Sequence, residues 1–110
     1  MLRADLLKDP LTQVVFIHHY LQLCFQDAGF SFYNPVELIA EYSNFLQGEP
    51  GFADALVGLI DQEVARVVGE PSLTIEFKNG VILKVAEDGE GPEAWEYYAL
   101  SGESIVEQNT

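Results

Sequence analysis

The stretch whose reading decides the fold is "LTIEFKNGVIL", Leu73 to Leu83. Leu73, Ile75 and Phe77 alternate with Thr74, Glu76 and Lys78, the period of a strand with one wet face. Asn79-Gly80 is a strong hairpin signal, and a two-residue loop is the commonest connection. Such a loop would set Ile75 opposite Lys84 and put a charge on the buried face. A three-residue loop, Lys78 to Gly80, instead pairs Phe77 with Val81, Ile75 with Leu83 and Leu73 with Val85. Those six are all apolar, with Glu76 beside Ile82 and Thr74 beside Lys84 on the other face. A one-residue slip would turn every side chain over, so the pattern selects the three-residue loop, with Gly80 left-handed in a bulge.

A similar shape occurs upstream in "LQLCFQDAGFSFY", Leu21 to Tyr33. Leu21, Leu23 and Phe25 alternate with Gln22, Cys24 and Gln26. A four-residue loop, Gln26 to Gly29, would put Phe25 opposite Phe30 and Leu23 opposite Phe32. Before each hairpin stands a matching lead-in, "LTQVV" (Leu11–Val15) and "IDQEV" (Ile60–Val64). Each half therefore reads as a three-stranded meander. The strands are Gln13–His19, Leu21–Gln26 and Phe30–Tyr33, then Glu63–Val68, Ser72–Lys78 and Val81–Ala86, a pseudo-repeat of 11–33 on 60–86. Two amphipathic hairpins also resemble each other by shared alternation alone.

Between the halves, 35–60 reads as a helical insert. Asn34 suits an N-cap, Pro35 the first helical position, and Glu37 a capping box. Leu38, Ile39, Tyr42, Phe45 and Leu46 then recur at helical spacing up to Gly48. A second short helix is expected from Phe52 to Ile60, weakened by Gly58. The acidic loop "EDGEGPE" and the strands "AWEYYAL" and "IVEQ" form a C-terminal acidic hairpin, 87–108. The expected fold class is α+β, in one domain over residues 1–110: a mainly antiparallel, strongly twisted sheet of six to eight strands. The two repeated meanders build it, and one or two helices inserted between them pack on one face. A strongly curved sheet or open barrel is the alternative.

Charge is the strongest compositional signal. Eighteen acids against five bases give a net charge of −13 in 110 residues. After Lys84 no Lys or Arg follows, while Glu87, Asp88, Glu90, Glu93, Glu96, Glu103 and Glu107 do. Such a surface repels nucleic-acid phosphates and anionic membranes and attracts basic partners; it also serves plain solubility. The hydrophobic fraction, 48%, is that of a globular chain with an ordinary core. No apolar run is long enough to span a bilayer. "MLRADLLKDP" lacks the apolar core of a signal peptide, and the single Cys24 suits a reducing compartment, so the expected location is the cytoplasm.

Catalytic patterns are missing from the sequence. His18 and His19, read as neighbours on a strand, would point to opposite faces and could not share a metal. No Cys pair or HExxH is present, so neither metal nor cofactor is expected. Cys24, mid-strand between Leu23 and Phe25, has no cationic neighbour in sequence to activate it. The "EDGEGPE" loop lacks the alternating acids of a calcium loop and reads as a mobile acidic connection. The chain is therefore expected not to be an enzyme. Trp95, as a lone tryptophan, is expected in the core. Tyr97 and Tyr98, interleaved with carboxylates, would supply aromatic area for stacking on arginine.

From "LIDQEV" to "SGESIVE" the layout resembles that of small uncharacterised bacterial proteins, some of which occur among toxin-immunity proteins. Leu73, Ile75, Phe77, Gly80, Leu83 and Glu93-Ala94-Trp95-Glu96 carry the resemblance, as "LxIxFxxGxxL…EAWE" over about half the chain. It implies a non-enzymatic binding protein whose acidity neutralises a basic surface. The expected function is then an acidic interaction protein, of an immunity or inhibitor type, that meets a basic protein. Glu87, Asp88, Glu90, Glu93, Glu96, Tyr97 and Tyr98 would form its binding surface. The alternative is a small-ligand binder or cryptic enzyme with a pocket between sheet and helix, lined by Phe30, Phe32, Tyr42 and Phe45. An exposed edge strand beside a repeat would also suit a two-fold homodimer.

Overall fold

The computed structural model describes residues 7–109. Met1 to Leu6, on which the expectation of no signal peptide falls, and Thr110 lie outside them. Ten strands and one short helix follow in order: β1 (Leu11–Ile17), β2 (Tyr20–Phe25), β3 (Ala28–Phe32), β4 (Val36–Ile39), β5 (Asn44–Leu46), α1 (Phe52–Val57), β6 (Val64–Val68), β7 (Thr74–Phe77), β8 (Ile82–Val85), β9 (Glu93–Ala99) and β10 (Ser104–Gln108). They form two five-stranded sheets, β1-β2-β3-β9-β10 and β5-β4-β8-β7-β6. Every strand pair is antiparallel. The protein is thus largely β rather than α+β, with two sheets in place of one.

The deciding hairpin has the register its alternation selects. Ile75 stands opposite Leu83, Glu76 opposite Ile82 and Thr74 opposite Lys84. The Phe77 amide donates to the Val81 carbonyl at 2.9 Å, and the Gly80 amide donates back to Phe77 at 2.9 Å, closing the three-residue loop. Gly80 has φ 94°, the left-handed value that the loop demands.

The first hairpin keeps its faces but not its loop. Leu21 pairs with Phe32, Leu23 with Phe30 and Phe25 with Ala28 across a two-residue turn, Gln26-Asp27. The expected four-residue loop is off by two residues. Because strand parity is two, that error leaves each side chain on its expected face, and Leu21, Leu23, Phe25, Phe30 and Phe32 are all buried.

The helix expected from Pro35 to Gly48 is a β-hairpin, β4–β5. The reason lies across the fold: Val36 stands opposite Val85 and Leu38 opposite Leu83, with Glu37 beside Lys84. Strand β8 has a free backbone edge there, and an extended partner satisfies it where a helix could not. The intended helical stripe comes apart accordingly. Val36 and Leu38 enter the core, while Tyr42, in the connecting turn, is 91% exposed. The Ala40 amide closes that turn on the Ser43 carbonyl at 2.9 Å. The second expected helix is present as α1, shorter than predicted, ending at Gly58 and burying Phe52 and Leu56.

The two halves exchange their hairpins. The meander β1-β2-β3 is extended at β3 by β9–β10, which comes from the second half. The meander β6-β7-β8 is extended at β8 by β4–β5, which comes from the first. One continuous core, including Leu23, Phe30, Leu38, Leu56, Ile75, Leu83 and Tyr97, is drawn from both sheets and α1. Each such side chain contributes about 1.5–3 kcal/mol by leaving water, and neither meander could cover its apolar face alone.

Candidate functional site

Sheet exchange places the β3–β4 and β8–β9 connections side by side. There Asn34 is buried, and its Nδ2 donates to the Ala86 carbonyl at 2.9 Å. Its side chain also meets that of Asn109: Asn34 Nδ2 donates to Asn109 Oδ1 at 2.8 Å, and Asn109 Nδ2 returns a bond to Asn34 Oδ1 at 2.9 Å. Asn109 Nδ2 reaches the Gly91 carbonyl at 2.7 Å, and its main-chain amide donates to the Pro92 carbonyl at 2.8 Å. Asn34 is therefore no helix cap. With Asn109 it ties the two ends of the acidic loop 87–92, at Ala86 and at Gly91-Pro92. Gly89 fits because a β-carbon there would overlap the Asn34 carboxamide.

The fastened loop forms one wall of an open cleft of about 870 Å³. Asp88 and Glu90 of the loop and Glu93 of β9 line it together with His19, Tyr20 and Tyr33. The Tyr20 and Tyr33 rings lie 5.1 Å apart at 49°. The Tyr33 hydroxyl donates to Glu96 Oε1 at 3.2 Å, which fixes the ring and sets a fourth carboxylate behind it. Burial pushes the Tyr33 phenol above its ordinary pKa, a hydrogen bond with Ser31 opposes this, and the Glu96 and Glu93 charges add to the rise.

The acidity also follows the sheets. No Lys or Arg occurs in the strands of the first sheet, 11–32 and 93–108. Arg66 and Lys84 lie in the second, and Lys78 just follows β7. Two of these bases meet acids nearby, Lys78 with Glu63 at 2.5 Å and Arg66 with Glu76 at 3.7 Å. Exposed pairs of this kind contribute little to stability, but they neutralise local charge. Little of the acidity around the cleft is cancelled in this way.

Of the residues expected at the binding surface, Asp88, Glu90 and Glu93 come together in the cleft, Glu96 stands behind Tyr33, and Glu87 is exposed just outside. Tyr97 does not join them. It is 1% exposed in the core, with its ring 5.3 Å from Phe30, and offers no surface. Tyr98 lies on the outer face of the first sheet, over Gly29 and beside Cys24. Trp95 is buried near Phe30, as expected of a lone tryptophan. The aromatics that reach the acids are Tyr20 and Tyr33, which the sequence reading passed over. Their signal was the alternation itself: each lies on the wet face at a strand end, one step beyond an inward Leu21 or Phe32.

His18 and His19 are not on opposite faces of a strand. They form the β1–β2 turn with rings 4.1 Å apart. Among the described residues no group of three or more His, Cys, Asp or Glu side chains gathers in ligating positions. Cys24 is half-buried on β2, opposite Gly29. Phe30, Phe32, Tyr42 and Phe45 share no pocket, since Phe30 and Phe32 are core residues and Tyr42 stands in solvent. No helix among the described residues is long and apolar enough to cross a membrane. Comparison with protein-family models, curated proteins and solved structures found no match to this chain.

Proposed function

We propose that this chain is a non-catalytic, acidic interaction protein of the cytoplasm whose cleft receives the Lys and Arg side chains of a basic partner protein. An immunity or inhibitor protein for a basic toxin or nucleic-acid enzyme is the class of role this describes. One observation carries the reading: Asp88, Glu90 and Glu93 line the same concave surface as the Tyr20–Tyr33 pair. A guanidinium entering there would find carboxylates for its donors and ring faces for its plane. Because Asn34 and Asn109 hold the loop in advance, little ordering entropy is lost on binding. The acid-only first sheet would steer such a partner from a distance.

The test is a calorimetric titration with an arginine-rich peptide at low and high salt, together with a pull-down from a native lysate. The wild type is expected to bind the peptide at low salt and release it at high salt. Asp88→Asn/Glu90→Gln/Glu93→Gln is expected to lose most of that affinity with its fold unchanged. Equal binding by wild type and triple variant would defeat this reading.

A further inference from the structure

We infer that β1 is a self-association edge, through which two copies of the chain join their first sheets into one ten-stranded antiparallel sheet about a two-fold axis. Two five-stranded sheets leave four edge strands, and three of them are protected. Strand β5 is only three residues long. Strand β6 carries Arg66, and β10 carries Glu107. Short length and charge are usual devices against edge pairing. Strand β1, "LTQVVFI", is seven residues long and has neither a charged residue nor a proline.

Its start is occupied, since the Leu11 amide donates to the Gln62 carbonyl and the Asp61 amide donates to the Leu11 carbonyl. The irregularity of β1 is confined to that end, between Leu11 and Gln13. From Gln13 to Ile17 the strand is regular against β2, with Ile17 opposite Tyr20 closing the turn. In a two-residue hairpin the closing pair is hydrogen-bonded, so the alternate residues Phe16 and Val14 direct their main-chain N–H and C=O away from β2. Among the described residues no backbone bond from a turn or loop reaches them. At the same end Phe16 is 49% and Ile17 36% exposed, large apolar side chains without cover.

A second copy can be seated on this edge without bringing like charges into contact, because residues 13–17 are uncharged. Each chain carries −13, so two copies can meet closely only along an uncharged stretch. Self-pairing centred on Val15 sets Val14 of each copy opposite Phe16 of the other and Gln13 opposite Ile17. Every one of those pairs is neutral, and the free backbone groups of both edges are satisfied. Five residues a side is a small interface, so association depends on concentration. Salt screens the mutual repulsion of the remaining surface and strengthens the dimer, opposite in sign to its effect on the acidic cleft. The two proposals therefore fail separately.

Sedimentation equilibrium over a concentration series, at low and high salt, tests this. The wild type is expected to show a monomer–dimer equilibrium that tightens with salt. Val15→Glu, which sets two carboxylates opposite each other at the axis, should weaken it about tenfold. Phe16→Pro removes a donor that faces away from β2 and should abolish it, while Val106→Glu on β10 should leave it unchanged. On the wild type itself, hydrogen exchange at the Val14 and Phe16 amides should slow as concentration rises. A chain that stays monomeric at high salt overturns the inference. So does a dimer indifferent to Val15→Glu, or one that leaves those two amides unprotected.

Discussion

Asn34 and Asn109 face each other amide to amide, each donating to the other's oxygen, at 2.8 and 2.9 Å. The pair joins the β3–β4 crossing to the end of β10, and through Gly91 and Pro92 it holds the acidic loop between them. Repulsion among Glu87, Asp88 and Glu90 would otherwise drive that loop outward. A polar network in this place is consequential because Asn34 is almost fully buried.

Asn34→Ala leaves the Ala86 carbonyl and the Asn109 amide short of a partner, a loss of about 1–3 kcal/mol. Gly89→Ala should cost a similar amount, because its β-carbon must displace the Asn34 carboxamide. The two act on one contact, so the double variant should lose less than the sum. Urea midpoints for the four proteins check this. Amide exchange within 87–92 should quicken in each variant.

The turn at Gly80 allows a cleaner test, because a β-carbon there would meet nothing within 4 Å. Any cost of substitution is then conformational. Gly80→Val should lower stability by about 1–2 kcal/mol, since a β-branched residue resists positive φ. Gly80→Asn should recover much of that, as asparagine tolerates the left-handed region. Asn79→Ala should cost less than Gly80→Val, because it removes one exposed bond, from the Val81 amide to Asn79 Oδ1 at 3.1 Å. Thermal melts that rank the three otherwise would contradict the assignment.

Tyr97 predicts an alkaline limit. Burial, with the Glu103 charge adding, raises its phenol above the ordinary value of 10.0. The unfolded chain therefore releases this proton first as pH climbs. Stability from Tyr97 is complete below pH 10.0 and is lost as pH rises through the folded value. Tyr97→Phe should flatten the fall of the urea midpoint above that pH without removing it, because Tyr33 and Tyr98 are raised as well. An identical alkaline slope in the variant would show that Tyr97 is not the titrating group.

The sequence was most legible where local pattern and turn chemistry agreed. Around Gly80, alternation on both strands and one left-handed glycine admit a single register, and the structure has it. Around Gln26-Asp27 alternation fixes the faces, but nothing local fixes loop length, so a shift by two residues costs the pattern nothing. Residues 35–46 were misread because Asn34-Pro35 imitates a helix start, and Leu38, Ile39, Tyr42 and Phe45 fit a helical period. What settles them as strands is Val85 and Leu83, more than forty residues away. The cleft was half legible for the same reason. Its acids are consecutive in the chain, but Tyr20 and Tyr33 reach them only through the pairing of β2 with β3 and the exchange of hairpins between sheets.

That division gives the final prediction, since charge and ring should act on different steps of binding. Asp88 and Glu90 are exposed, and Glu93 is half-buried, so their field extends outward and guides encounter. Tyr33 is half-buried, held by Glu96 and set against Tyr20, so it contributes only once a cation is seated. Stopped-flow binding of the arginine-rich peptide should therefore show Asp88→Asn/Glu90→Gln lowering the association rate several-fold and flattening its salt dependence. Tyr33→Ala should leave association near the wild-type rate and speed dissociation, in keeping with about 0.5–2 kcal/mol for a cation on an aromatic face. Tyr33→Phe keeps the ring and removes the bond to Glu96, so its dissociation should fall between the two. If Tyr33→Ala changes neither rate, the aromatic pair takes no part in binding and the cleft acts through charge alone.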